Sequence, residues 1–183
     1  MSETVDYSLV KSIGEIEIRH YPKIILATVK NASDDIAYSI LFRYISGGNR
    51  PKNKIAITPP DISQGRNEQI VMTSPVISDS ETFSFVMPTD LTLDTIPEPL
   101  DDRISINEVP ERTVAVVRFS GRASHRDIQK RLDELVDILI SYGLAAKSAP
   151  FLMRYNTPFT PGFLRRNEVG VEIEESLTNL PGS

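Results

Sequence analysis

Apolar residues recur at helical spacing in one stretch near the start of the chain, between Ser33 and Asn49. Ser33 can cap a helix by accepting a hydrogen bond from a backbone N–H, and Gly47 can end the helix in the left-handed conformation. The pattern therefore predicts an amphipathic helix. The apolar positions of its buried face are Ile36, Ala37, Ile40, Leu41, Tyr44 and Ile45.

Two further aromatic residues widen the apolar arc of this first helix. At about 100° per residue, Tyr38 and Phe42 lie on the shoulder of the buried stripe. Leu41 and Ile45 are their neighbours there. The combined arc covers roughly 240°, whereas a helix that buries one side needs about 100° or somewhat more. Three interpretations follow: the whole helix is core, these four residues line a ligand-binding surface, or the shoulder binds another protein.

The remaining patterns predict strands, a second helix and a degenerate internal repeat. Residues 15–19 and 82–87 alternate between apolar and polar positions, as half-buried strands do. The second helix begins at the cap Ser124 and ends at Gly143. Further extended segments are predicted at residues 5–12, 24–29, 54–60, 69–76, 104–106, 151–155 and 168–173.

The order strand–strand–helix–strand–strand occurs twice along the chain. Ile104 and Pro110 follow Ile16 and Pro22 at the same offset of 88 positions (104 − 16 and 110 − 22). Two such units bury their sheets best by curling together. The predicted fold is α+β: a distorted, mostly antiparallel β-barrel built from two pseudo-repeated ββαββ halves and flanked by two α-helices.

The net charge and the distribution of apolar residues exclude some classes of function. The net charge of −5 argues against nucleic acid as a partner, because phosphate binding needs a basic surface. No run of about 18 apolar residues exists and the first residues do not resemble a signal peptide, so we expect a cytoplasmic protein with no membrane partner. The chain is expected to form one domain over residues 1–183, with its core at about 5–175 and a disordered tail at 176–183.

Few residues are suited to catalysis. The chain has no cysteine, which excludes disulfides, thiolate nucleophiles, iron–sulfur clusters and covalent haem attachment. Of the two histidines, His125 begins a helix and is expected to face solvent, while His20 ends a strand. The paired carboxylates Glu15 with Glu17, and Glu172 with Glu174, are expected to form solvated strand faces. We therefore predict that the protein is not an enzyme.

Several short segments, in this order and spacing, resemble the SOUL haem-binding protein family over roughly residues 5–175. They are Glu17-Ile-Arg19-His-Tyr21, Tyr44-Ile-Ser-Gly-Gly-Asn49, Met72-Thr73-Ser-Pro75-Val76, Phe85-Val-Met-Pro88, Phe119-Ser-Gly121, Tyr155-Asn-Thr-Pro158 and Arg165-Arg166-Asn167-Glu168-Val169. The resemblance implies a distorted antiparallel barrel with two helices. It also implies reversible, non-covalent binding of haem or a related tetrapyrrole, without catalysis, on an apolar patch by the first helix.

Carried onto this chain, the implied patch consists of Tyr38, Leu41, Phe42 and Ile45. Arg43 matches a basic position that helps to hold the haem propionates, although on the helical wheel it points away from the shoulder. His20 is the candidate axial ligand of the iron.

The first hypothesis is thus a carrier or buffer of haem or another flat apolar molecule. The chain is also similar to gyrase-inhibitor-like and multidrug-regulator effector-binding domains. The second hypothesis is therefore a small-molecule effector-binding or protein-interaction domain that does not use haem, its protein partner being unknown. An enzyme acting in the same groove is the third hypothesis, against which the scarcity of histidine and the absence of cysteine count.

Overall fold

The computed structural model describes residues 3–52, 67–157 and 159–174. Two α-helices and twelve strands make up the described part, together with a 3₁₀ turn at Gly162–Leu164. The helices are α1 (Asp34–Ile45) and α2 (His125–Ser141). The strands are β1 (Glu3–Thr4), β2 (Ser8–Ile13), β3 (Ile16–Tyr21), β4 (Ile24–Lys30), β5 (Asn49–Arg50), β6 (Thr73–Ser78), β7 (Thr82–Val86), β8 (Glu98–Pro99), β9 (Ile104–Val109), β10 (Arg112–Ser120), β11 (Phe151–Arg154) and β12 (Arg166–Ile173).

The chain divides into two compact units, and their boundaries differ from those of the sequence repeat. Among the described residues, the first unit comprises 3–4, 24–52, 67–74 and 80–109. The second unit comprises 5–23, 75–79, 110–157 and 159–174. The prediction of a single domain stays a prediction.

The first unit is an antiparallel sheet covered by one helix. Strand β4 lies in the middle, with β7 on one side and β9 on the other. Helix α1 packs against β4 and β7. The short pair of β5 and β8 follows the helix and is also antiparallel.

Helix α1 begins and ends where its sequence predicts. The Ser33 hydroxyl accepts a hydrogen bond from the backbone N–H of Ile36, and Gly47 adopts a positive φ of 121° just after the helix. The turn beyond it is held by the buried amide of Asn49. That amide donates to the carbonyls of Tyr44 and Glu68, at 2.9 and 2.8 Å, and accepts from the Glu68 N–H. Asn49 thereby satisfies orphan groups that the helix end would otherwise leave unpaired.

The second unit repeats this arrangement with more strands. Its sheet runs β2–β3–β10–β12–β11, all antiparallel, and residues 76–78 pair with β11. Helix α2 packs against β10 and β12. Leu135 and Leu139 of this helix meet apolar strand residues such as Ile18, Val117 and Val171 in one core cluster.

The α+β class and the two helices are confirmed, but the predicted barrel is wrong. In the described part of each unit the first and last strands of the sheet do not pair with each other, so the sheet stays open. At one edge, β2 has exposed residues and a register shift between Leu9 and Lys11. A bulge of this kind twists an edge strand and disfavours further pairing.

The repeat is visible in the element bounds, although the pairing of its strands crosses between the two copies. Strands β9 and β10 start 88 positions after β3 and β4 (104 − 16 and 112 − 24). However, β3 pairs with β10, and β9 pairs with β4. Each copy therefore gives its first strand to the sheet of the other, which explains why the compact units do not follow the halves of the chain.

Candidate functional site

The shoulder of α1 divides between core and surface. Leu41 and Ile45 are buried, as are Ala37, Ile40 and Tyr44. The prediction for Ile36 is wrong: it lies in the first turn of the helix and is 54% exposed. Phe42 is 50% exposed and Tyr38 is half-buried. Of the four residues predicted to line a ligand-binding surface, only Tyr38 and Phe42 are accessible, because Leu41 and Ile45 are buried. Wheel geometry placed all four together, but the depth of the helix in its sheet could not be read from the sequence.

Four aromatic rings form a continuous series from solvent into the core of the first unit; we call Phe42, Tyr38, Phe85 and Phe83 the aromatic row. The Phe42 and Tyr38 rings are nearly parallel, with centroids 6.1 Å apart and planes at 11°. Tyr38 meets Phe85 edge-on at 5.3 Å, and Phe85 lies 6.3 Å from Phe83. Phe83 and Phe85 are buried on β7. The exposed Phe42 ring is thus held in place by a fixed aromatic base.

Arg43 lies on the exposed side of α1, as the helical wheel predicts, at a cleft of about 610 Å³. The opposite wall is the segment Leu100–Arg103. There the Arg103 guanidinium donates two hydrogen bonds to the Asp101 carboxylate, at 2.9 and 2.6 Å. Arg103, with a smaller contribution from the charge of Arg43, lowers the pKa of Asp101 to about 2. The floor includes Tyr44, whose hydroxyl donates to the Pro97 carbonyl at 2.6 Å.

The structure places His20 in the second unit, on β3. Its Nε2 lies 3.5 Å from a carboxylate oxygen of Glu111, and its side chain is 35% exposed. The role of His20 as an axial ligand stays a prediction. Within the described residues, no group of three or more histidine, aspartate or glutamate side chains is arranged to hold a metal ion.

The sequence interpretation missed a buried ionic cluster in the second unit. Arg19 is a polar position of the strand predicted at 15–19, where polar residues face water, yet its side chain is only 2% exposed. It donates two hydrogen bonds to Glu168, at 2.7 and 2.6 Å. Glu168 is fully buried and also accepts from Arg166 at 3.1 Å. The Tyr7 ring covers the Arg19 guanidinium at 4.1 Å. The same cluster accounts for Glu17, predicted to be solvated, which lies 2.7 Å from Arg19.

The electrostatics of this cluster favour its charged form. Burial by itself would raise the pKa of Glu168, but hydrogen bonds from Arg19 and Tyr155 and the nearby guanidinium charges outweigh it, so the pKa lies below its ordinary value. Burial, the largest effect, raises the pKa of Tyr155. The run Arg165-Arg166-Asn167-Glu168 is the one sequence signal of this arrangement, because it indicates a polar network that closes the last strand more than it indicates an anion site.

A second ion pair occupies the far end of the same sheet. Glu172 lies 3.9 Å from Arg112 and 3.8 Å from Lys147, so it is not the solvated carboxylate that the sequence suggested. Arg112 is mostly buried against the Phe151 ring, and this desolvation lowers its pKa. These contacts tie strands together.

Neither α1 nor α2, the helices of the described chain, is long and apolar enough to cross a bilayer.

Comparisons with known proteins agree on one family. A family model described as SOUL heme-binding protein matches residues 2–172. Heme-binding protein 2 of Homo sapiens is 30% identical over 152 residues, which cover 79% of this chain and 72% of the relative. The Mus musculus protein of the same name is 30% identical over 153 residues, covering 80% and 72%.

Among solved structures, the C-terminal domain of EcmrR has a TM-score of 0.56 at 12% identity, covering 92% of this chain and 98% of that one. A hydrolase from Listeria innocua has a TM-score of 0.53 at 13% identity, covering 90% and 94%. At these identities the likeness shows the fold alone.

Proposed function

The chain belongs to the SOUL heme-binding protein family, and we propose that it binds haem or a related tetrapyrrole non-covalently at the exposed end of the aromatic row. The observation that carries this proposal is the Phe42 ring, half exposed yet stacked on Tyr38. Offset stacking of flat conjugated rings is favourable beyond the area it buries. Phe42 offers such a face without prior rearrangement of the helix.

The fit extends to the charged edge of the ligand. A haem carries two propionates, and Arg43 is exposed at the position next to Phe42. Arginine suits carboxylates because its planar guanidinium donates two parallel hydrogen bonds. Its present partners are weak, since Arg43 Nε is 3.4 Å from the Ser39 carbonyl of its own helix. The side chain must bend from the cleft toward Phe42 to engage a propionate.

A carrier or buffer is the role that this geometry favours. Deep pockets bury most of the surface of a small ligand. By contrast, a ring lying on Phe42 leaves its outer face in water, which weakens binding and speeds release. The first unit also has no histidine or cysteine with which to hold iron firmly. We infer non-catalytic, exchangeable binding by apolar contact.

A titration with hemin, followed through the Soret band, tests the proposal. Phe42→Ser removes the stacking ring and is expected to weaken hemin binding about tenfold. Ile36→Ser is the matched control, because Ile36 is 54% exposed on the same helix but belongs to a different face. It should bind hemin as the parent does. Both variants should melt close to the parent temperature, since neither side chain is buried.

Two results would contradict the proposal. Equal hemin affinity of Phe42→Ser and its parent would place the site elsewhere. A parent protein that gives no Soret shift, while a non-haem apolar effector perturbs the aromatic row, would favour the effector-binding alternative.

His20→Ala tests axial ligation separately. We expect the Soret maximum of the hemin complex to be unchanged, because the His20 Nε2 already lies 3.5 Å from a carboxylate oxygen of Glu111. A shifted Soret maximum in this variant, with parental melting temperature, would identify His20 as the ligand.

A further inference from the structure

Three large apolar side chains of the second unit are exposed within six consecutive residues, 159–164, of the loop before β12. Phe159 is 94% exposed, Phe163 79% and Leu164 62%. We call these three residues the apolar tip. Single exposed apolar residues are ordinary on a protein surface, but a cluster of this kind marks an interaction site. Neither the haem proposal nor the family's name accounts for it.

The backbone under the apolar tip is well fixed. Residues 162–164 form a 3₁₀ turn in which the N–H groups of Leu164 and Arg165 donate to the carbonyls of Pro161 and Gly162. Arg165 Nε donates to the Thr160 carbonyl at 2.7 Å. The Gly121 N–H donates to the Gly162 carbonyl at 3.0 Å, which ties the loop to the end of β10. The backbone hydrogen bonds of the loop therefore hold the apolar tip in its exposed position.

The surroundings of the tip are basic, although the chain as a whole is acidic. Segments 118–126 and 155–167, which these hydrogen bonds join, contain no aspartate or glutamate. Arg122 is exposed and packs against Gly162, and Arg126 follows on the first turn of α2. Arg165 lies within the loop. The net charge of −5 thus lies elsewhere on the molecule, and this end is locally positive.

We propose that the apolar tip docks this protein onto the surface of an anionic lipid bilayer. Phenylalanine side chains enter the boundary between headgroups and acyl chains, and each nearby arginine adds attraction to anionic headgroups. A stable protein interface needs roughly 800 Å² on each partner. Three projecting side chains bury less area than that. Docking to a bilayer, by contrast, requires only that these side chains insert among the lipids.

The proposal concerns surface contact and no spanning segment. The expectation of no membrane partner rested on the lack of a long apolar run. That criterion detects segments that span a bilayer, and it does not detect three apolar side chains that contact the bilayer surface. A tetrapyrrole partitions into bilayers, so docking would bring a carrier to its source, but the inference does not depend on haem.

The chain has no tryptophan, which allows a direct optical test. Phe159→Trp places a single indole at the tip. With vesicles of phosphatidylcholine and phosphatidylglycerol we expect its emission to shift to the blue, and with phosphatidylcholine alone we expect a smaller shift. Sedimentation with the mixed vesicles should fall at least about tenfold for Phe159→Ser with Phe163→Ser, and about fivefold for Arg122→Gln.

The matched control is Val136→Ser with Ile140→Ser, which removes two exposed apolar residues from α2 of the same unit. This variant should sediment with vesicles as the parent does. Parent protein that stays in the supernatant with mixed vesicles would overturn the proposal. It would also fail if the double phenylalanine variant sediments like the parent, or if the phenylalanines instead prove to hold two copies of the chain together. All of these readouts are independent of hemin.

Discussion

Replacing Glu168 by alanine is expected to lower the free energy of unfolding by about 3–5 kcal/mol. Glu168 is fully buried and is the counter-charge of Arg19, whose side chain is only 2% exposed. Removing the carboxylate leaves a guanidinium in the protein interior without its partner. An uncompensated buried charge costs more than the intact ion pair contributes, because the desolvation cost remains when the attraction is gone.

Urea unfolding of parent and variant measures this loss. Glu111→Ala is the control, since the Glu111 side chain is 72% exposed and its contact is with the partly exposed His20. That change should stay within about 0.5 kcal/mol of the parent. Glu168→Gln keeps the side-chain volume and should still be strongly destabilising, because the missing charge is the cause. If Glu168→Gln is as stable as the parent, Glu168 contributes to stability through its packing and not through its charge.

The same cluster sets a direction for the pH dependence of stability. The pKa of Glu168 lies below its ordinary value of 4.5 in the folded protein. Its contribution is therefore complete above that ordinary value and is lost as the pH falls through the lower, folded value. Glu168→Gln has no such group, so its stability should change less with acidification over that range than the parent's.

Leu135→Ala is expected to cost about 2–5 kcal/mol, the second large effect. Leu135 is 0% exposed and packs in the core cluster between α2 and the second sheet. Its loss leaves a cavity that the surrounding strands fill only in part. The neighbouring position is an internal control: Val136 is 41% exposed, and Val136→Ala should stay within about 0.5 kcal/mol.

Chemical unfolding of both variants provides the comparison. If Leu135→Ala and Val136→Ala prove equally mild, α2 contributes little to the core of the second unit. Because the measurement needs no ligand, it can be made before any hemin titration and defines the stability against which the Phe42→Ser and tip variants are judged.

Sequence patterns predicted the ends of both helices closely, because a helix end is determined by residues next to it in the chain. The Ser124 hydroxyl accepts from the Asp127 N–H at 3.2 Å, as the predicted cap requires, and it donates to the Asp127 carboxylate at 2.8 Å. α1 starts after Ser33 and ends before Gly47 for comparable reasons. The offset of 88 positions was also correct, since a duplicated pattern preserves strand starts whatever their pairing.

Local sequence patterns also indicated part of the candidate site. Helical periodicity alone singled out Tyr38 and Phe42, and these two are accessible in the structure. It could not separate them from Leu41 and Ile45, which are buried. A helical wheel gives the angle of each side chain about the axis, whereas burial depends on how far the sheet beneath extends. Phe83 and Phe85, which complete the aromatic row, come from β7 and are distant in sequence.

The sequence by itself determined both helices, most of the longer strands, the repeat, the family and the apolar shoulder of α1, while the predicted strand at 54–60 lies outside the described residues. Only the tertiary structure decided that β3 pairs with β10 and β9 with β4, that Arg19 is buried with Glu168, and that Phe159 and Phe163 project from their loop. The physical reason is the range of the interactions. Caps and periodic patterns act within a few residues, but strand pairing, the burial of a charge and the exposure of a loop depend on partners that are distant in the sequence, as Glu168 is from Arg19 (168 − 19 = 149).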